Sequence, residues 1–223
     1  MNTRLGLFGG SFNPIHMGHL RMAVEAAQAA SLDRVEFLPA PRPPHKETTG
    51  MLSFALRWRL VQLAVCGREG FFPSTAEAAL SGPSYTLRTL RMYRRLQPET
   101  DLHFILGAED LLKLPTWHKG AELVEHASLV ALPRSGAGRG EVEHFVAEFW
   151  PGAARMEQDL WSFPSGTTLR FVPAPSLDVS ATRIRRAVLA GESIAYLVPR
   201  EVEKALETLS EEDLAPWRRE ESP

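Results

Sequence analysis

One cysteine, Cys66, is all that the 223 residues contain, so no disulfide can form within the chain. It closes the apolar-periodic stretch Phe54 to Val65 and is read as a core residue. A secretory leader is missing, as is any apolar run near 18 residues, which excludes a membrane-spanning helix and makes the cytoplasm the expected location. Charge of one sign is not in excess either. Lys and Arg number 25 against 27 Asp and Glu, a net charge of −2, so composition points to neither nucleic acid nor membrane as a partner. Any anion site has to be a local cluster. The dinucleotide fingerprint is absent too, since glycines at 6, 9, 10 and 18 do not fit G-x-G-x-x-G and no acidic residue closes a second strand. What remains, 44% apolar and 23% charged, is an ordinary globular chain long enough to bury a core.

The chain is organised around its beginning, where the apolar run Leu5 to Phe8 stops at Gly9-Gly10-Ser11 and an Asn13-Pro14 turn leads to His16-x-Gly18-His19 at the head of a helix. That is strand, glycine turn, helix. Glycines let a backbone approach a ligand closely, and a helix start offers unpaired N–H groups with a partial positive charge, so the turn suits a phosphate. His16 and His19, one helical turn apart, can face the same anion. Packing alone also explains a glycine turn of this kind. Zinc is disfavoured because no third Cys, His or carboxylate stands nearby.

Leu20 to Ala30 continues the helix and Arg34 to Leu38 forms a second strand, giving a βαβ unit with a parallel sheet. Pro39 to Gly50 contains four prolines and presents His45 and Lys46 from a strand's carboxyl edge. Phe54 to Val65 is helical by period, Phe71 to Ser74 a short strand, and Pro83-Ser84-Tyr85-Thr86 a turn opening the basic helix Leu87 to Leu96, for which a Ser/Thr cap is a sufficient explanation. Leu102 to Leu106 is a strand ending at Gly107-Ala108-Glu109-Asp110, and Leu114-Pro115-Thr116-Trp117-His118 follows. Ser128 to Leu132 leads into Pro133-Arg134, and Leu169 to Val172 is the last strand. From 138 to 168 the pattern weakens, with turns around Val142 to Phe149. Val179-Ser180-Ala181-Thr182-Arg183-Ile184-Arg185 then places two hydroxyls and a guanidinium at a helix start, a second anion site. The expected fold is α/β, a Rossmann-like doubly wound parallel sheet with helices on both faces. It forms one domain over 1–210, with 138–168 a variable insertion and 211–223 a flexible tail.

GGSFNPIHMGH resembles the signature of the nucleotidyltransferase superfamily, and Ser-x-Thr-x-x-Arg at 180–185 resembles its second signature. Pro-Pro-His-Lys, Pro-Ser-Tyr-Thr and Pro-Thr-Trp narrow the resemblance to the bacterial nicotinate-mononucleotide adenylyltransferases, over nearly the whole chain. The resemblance implies adenylyl transfer from ATP to nicotinate mononucleotide, giving nicotinate adenine dinucleotide and pyrophosphate in NAD synthesis. It implies that His16, His19 and Arg185 act on the reacting phosphates. Gly9, Gly10, Ser11, Phe12, His45, Lys46, Arg134, Ser180 and Thr182 would hold ATP, and Tyr85, Thr86, Glu109, Asp110, Trp117 and His118 the pyridine nucleotide. Mg²⁺ is expected on the triphosphate with no ligand from a protein side chain. The family's Gly-x-Asp reads Gly-x-Glu here, so Glu109 and Asp110 both stay open for that place, and His118 replaces a usual tyrosine. A preference for nicotinamide mononucleotide, or use of both substrates, is the alternative within the family; a nucleotide-binding regulatory protein is the alternative outside it. The oligomeric state is not readable.

Overall fold

The computed structural model describes residues 2–44, 50–133, 136–175 and 177–220. Strand β1 (Arg4–Gly10), helix α1 (Met17–Ala29) and strand β2 (Arg34–Pro39) form the opening βαβ unit. There follow α2 (Phe54–Val65), β3 (Phe71–Pro73), α3 (Thr86–Leu96), β4 (Asp101–Gly107), α4 (Ala108–Leu112) and β5 (Ser128–Leu132). The chain continues through α5 (Arg139–Phe149), β6 (Ala154–Glu157), β7 (Leu160–Ser162), β8 (Thr168–Phe171), α6 (Ala181–Ala190), α7 (Arg200–Glu207) and α8 (Glu211–Glu220). Among the described residues no helix is long and apolar enough to cross a membrane.

The strands make one eight-stranded sheet in the order β3-β2-β1-β4-β5-β8-β7-β6. Strand β4 pairs in parallel with β1 and β5, and β8 continues in parallel from β5, while β7 and β6 extend the edge antiparallel. Strand β5 is buried along its whole length and β4 from Leu102 onward, so both of their faces are covered, as a parallel sheet with helical crossovers requires. The fold is the expected Rossmann-like α/β sheet. Its order reverses between β1 and β4, the position where such sheets bind their ligands. With Phe8 opposite Ile105, both strands end in glycine, β1 at Gly10 and β4 at Gly107.

Contacts sort the chain into two compact units, and the boundary passes through β1 and β2. The first comprises residues 1–9, 22–36 and 85–176, with a core of Leu5, Leu7, Val35, Leu90, Ile105, Leu129 and Leu169. The second comprises residues 10–21, 37–84 and 177–223, with Phe12, Ile15, Phe37, Leu60, Val61, Ile184 and Trp217 buried inside it.

Three expectations are corrected. Where turns were expected around Val142 to Phe149, α5 forms: Glu141 Oε2 accepts from the Gly138 N–H at 3.1 Å at its start, and Val142 and Val146, four residues apart, are both buried. Where a flexible tail was expected from 211, α8 forms. Ser210 and Asp213 cap it reciprocally, the Asp213 N–H donating to Ser210 Oγ at 3.2 Å and the Ser210 N–H to Asp213 Oδ2 at 3.1 Å, and Trp217 is fully buried. Cys66, expected in the core, ends α2 and is exposed.

His103 is buried in β4 and lies 3.1 Å from Asp101 Oδ2, an ion-pair contact rather than a well-aligned hydrogen bond, and Arg4 Nε reaches the same oxygen at 3.2 Å. Burial holds the His103 pKa below its ordinary value; Asp101 opposes the shift, and Arg4 and Arg170 add to it. The unfolded chain therefore takes up a proton near pH ~6.5 that the folded chain refuses, so this contribution to stability is full above that pH and declines below it. The melting temperature is expected to fall between about pH 7.5 and pH 5.5, less steeply in His103→Gln. Equal slopes for the two proteins in a thermal-unfolding series would contradict this.

Candidate active site

The second unit holds the opening signature from Gly10 onward. Phe12 has φ of 44°, an uncommon conformation for a bulky residue, and its ring is buried against Phe37 and meets the His19 ring edge-on at 5.1 Å. A Cβ at Gly10 would stand 3.1 Å from the Phe12 ring, whereas at Gly9 the nearest atom would be 3.5 Å away, an ordinary contact. Steric demand within the protein therefore explains Gly10, not Gly9.

The helix begins one residue later than His16, so the two histidines do not share a helical face as the spacing suggested. Instead the buried His16 ring stacks on His19, with centroids 3.7 Å apart and planes at 29°. The His16 backbone N–H donates to His19 Nδ1 at 3.3 Å, which leaves Nε2 of His19 to carry the proton. Gly18 is what lets the first ring fit: a Cβ there would meet His16 Nδ1 at 3.0 Å and Val179 O at 3.5 Å. Signature glycine and signature histidine thus serve one packing arrangement.

Helix α6 begins at the second signature. Ser180 caps it, with Oγ accepting from the Arg183 N–H at 3.2 Å, and its own hydroxyl proton is left to point elsewhere. Arg185 is buried and donates from Nη1 to Asn13 O at 3.1 Å and from Nη2 to Thr182 Oγ1 at 3.3 Å. The two signatures, 172 residues apart along the chain at this contact, are therefore joined by hydrogen bond within one compact unit.

The ring-side candidates lie in the first unit. Tyr85 precedes α3 and makes no side-chain cap, so the capping explanation fails there; its ring stacks on His118 with centroids 4.5 Å apart and planes at 25°. Thr86 is the first residue of α3. Trp117 meets Phe104 edge-on, with centroids 6.5 Å apart. Glu109 and Asp110 both turn back over the end of β4, because a Cβ on Gly107 would find Glu109 Oε2 at 3.2 Å and Asp110 Oδ2 at 3.6 Å. His45, Lys46 and Arg134 lie outside the described residues.

The model of the cytidylyltransferase-like family matches residues 7–187. A protein of Trichlorobacter lovleyi named "Probable nicotinate-nucleotide adenylyltransferase" is 43% identical over 201 residues, covering 90% of this chain and 94% of its own. One of the same name from Desulfatibacillum aliphaticivorans is 42% identical over 208 residues, covering 90% and 95%. The chain belongs to the nicotinate-nucleotide adenylyltransferase family. Among solved structures, the Plasmodium falciparum nicotinic acid mononucleotide adenylyltransferase complexed with NaAD aligns with a TM-score of 0.69 at 14% identity, over 92% of this chain and 95% of that one. This second likeness speaks to the fold.

Sequence reading of this family member missed Arg57. It lies on the buried stripe of α2 with Leu60 and Val61, donates from Nη1 to Ser11 O at 2.7 Å and from Nε to Leu52 O at 3.1 Å, and stands over the Phe54 ring. Burial lowers its pKa to about 10, which still leaves it charged at neutral pH. The available signal was an arginine at i with leucine and valine at i+3 and i+4, a charge placed on an apolar face.

The segment carrying Trp117 and His118 depends on Gly120. A Cβ there would come 2.0 Å from Leu114 O, and the preceding Lys119 already has φ of 54°. Gly120→Ala is expected to cost about 3 kcal/mol or more. A melting temperature within one degree of the parent would refute that.

Proposed function

We propose that this protein transfers the adenylyl group of ATP to nicotinate mononucleotide, forming nicotinate adenine dinucleotide and releasing pyrophosphate. The observation that carries the reading is the Arg185 to Asn13 hydrogen bond, which ties the Ser180-x-Thr182-x-x-Arg185 helix start to the turn bearing the stacked His16 and His19. One compact unit thereby offers two imidazoles, two hydroxyls, a guanidinium and two helix starts, which is donor chemistry suited to a polyphosphate.

No protein nucleophile is needed. The phosphate oxygen of the mononucleotide attacks the α-phosphorus of ATP in line; the new P–O bond forms as the bond to the β-phosphate oxygen breaks, and the electron pair leaves with pyrophosphate. Nε2–H of His19, with His16 beside it, stabilises charge on the α-phosphoryl oxygens. Thr182, Ser180 and Arg185 hold the β,γ end, joined by Lys46 from outside the described residues. Backbone N–H groups of Gly10, Ser11 and Phe12 line the turn, and Gly9 leaves room for the ligand.

Magnesium fits this donor set only as a companion of ATP. Among the described residues no three His, Cys, Asp or Glu side chains converge on a common point, and the phosphate end carries the Arg185 guanidinium, whose charge opposes a cation held by the protein there. Carried in on ATP, magnesium would supply charge neutralisation to the triphosphate, with Ser180, Thr182 and Arg185 holding the phosphates themselves.

On the other substrate, Trp117 offers a face to the electron-poor pyridinium, with Tyr85 and His118 forming a second aromatic wall. The N–H groups at the start of α3, beside Thr86, suit the nicotinate carboxylate. Glu109 and Asp110 repel that carboxylate and suit hydroxyl groups of the nucleotide. The test is pyrophosphate release from MgATP with nicotinate and nicotinamide mononucleotides compared on kcat/KM. A large preference for the acid supports the reading, and equal use or a preference for the amide would overturn its substrate.

A further inference from the structure

We propose that Trp217, on the carboxyl-terminal helix α8, is a positioning residue for the phosphate end of the active site, acting through Asn13. The proposal rests on the adenylyltransferase reading and extends it to a segment far from either signature.

Asn13 is 6% exposed, and its side chain makes hydrogen bonds to three partners. Nδ2 donates to Gly50 O at 2.8 Å; Oδ1 accepts from the Leu52 N–H at 3.0 Å and from Trp217 Nε1–H at 3.1 Å. Two of these partners belong to the short stretch 50–52, so on their own they make a clip that fixes the amide to that stretch and to nothing else. The indole supplies the third bond, from 204 residues along the chain. It uses the remaining lone pair of Oδ1 and so sets the amide plane against α8.

The main chain of Asn13 is held from the same direction. Helix α8 packs on α6, and α6 carries Arg185, whose guanidinium donates to Asn13 O. Side-chain and main-chain oxygens of one signature residue therefore both receive hydrogen bonds from the carboxyl-terminal segment. Three residues later comes the buried His16, whose backbone N–H sets the orientation of His19. Leu52, at the other end of the clip, has its carbonyl held by Arg57, which also holds Ser11 O. Without the indole N–H, the turn from Ser11 to His16 keeps its bonds to 50–52 but loses the side-chain bond that places it against α8. The fully buried ring of Trp217 fills space, and its N–H sets register; the two contributions separate on substitution.

Trp217→Phe retains an aromatic ring and removes the donor, and is compared with the parent in three measurements. The expected result is a kcat about tenfold lower, the size of one lost hydrogen bond, with KM for nicotinate mononucleotide within about twofold and cooperative unfolding preserved. Calorimetric titration with magnesium and α,β-methylene-ATP is expected to show about fivefold weaker binding. Restoring an indole-type donor by incorporation of 5-fluorotryptophan at 217 returns both values to the parent's. Parent-like kcat and analogue affinity in a folded Trp217→Phe protein would overturn the proposal, as would a lowered melting temperature with both values unchanged. If the parent itself releases no pyrophosphate, the adenylyltransferase reading fails, and the calorimetric comparison still decides the role of Trp217.

Discussion

His19→Ala lowers kcat by about 100- to 1,000-fold while the protein stays folded, the effect expected when one donor to a developing charge is removed. The magnitude follows from the place of the ring. His19 is partly exposed, so its loss leaves a small defect in the core, whereas His16 beneath it is fully buried and serves packing as well. Nδ1 of His19 accepts from the His16 N–H, so the donor that the proposed role calls on is Nε2–H. His19→Gln carries an amide N–H to nearly the Nε2 position and is expected to recover part of the lost rate; His19→Asn, whose amide reaches only the Nδ1 position, is not. Steady-state pyrophosphate release, read beside thermal unfolding, checks the order Gln above Asn and Ala. Equal rates for all three variants would mean that the ring acts by its charge or bulk and not by that donor.

Arg185→Lys is the second large effect, although the charge is kept. The guanidinium spans Asn13 O and Thr182 Oγ1 with two different nitrogens, and an ammonium on a flexible stem cannot hold both in a fixed plane. The exposed Thr182 hydroxyl can turn to water, but Asn13 is buried, so its abandoned carbonyl has no water to replace the bond, at a cost of about 1 to 3 kcal/mol in stability. A kcat loss of about 100-fold is expected, accompanied by a lower melting temperature and an unaltered KM for the mononucleotide. A parent-like kcat would separate the two signatures functionally despite their hydrogen bond.

Much of this was legible in the residues. Strands β1, β2, β4 and β5 are largely apolar runs, broken by Glu36 in β2 and His103 in β4 and stopped at their carboxyl ends by glycine or proline, and a parallel sheet buries such runs on both faces. The two signatures were legible because many fixed residue types fall in a short span. The failures have specific causes. Helix α5 lacks a Ser, Thr, Asp or Asn cap, and its apolar positions are diluted by Glu143, His144 and Glu148, so its glycines read as turns. Helix α8 did carry a signal, the Ser210 to Asp213 capping pair followed by Leu214 and Trp217, and the charged tail around it masked these two buried residues. Arg57 escaped because its nearby partners are a backbone carbonyl, Leu52 O, and the Phe54 ring, which no residue type announces, while Ser11 O is 46 residues away. The Glu109 or Asp110 question could not be resolved by counting, since both carboxylates fold back over the same glycine.

The measurement that tests the central claim most directly is the product balance of the purified protein with MgATP and nicotinate mononucleotide, read by mass spectrometry and a pyrophosphate assay on one reaction. The account predicts nicotinate adenine dinucleotide and pyrophosphate in equal amounts, with no ADP and no phosphorylated enzyme. Bound ATP with no dinucleotide, or ADP and phosphate as the products, would contradict it.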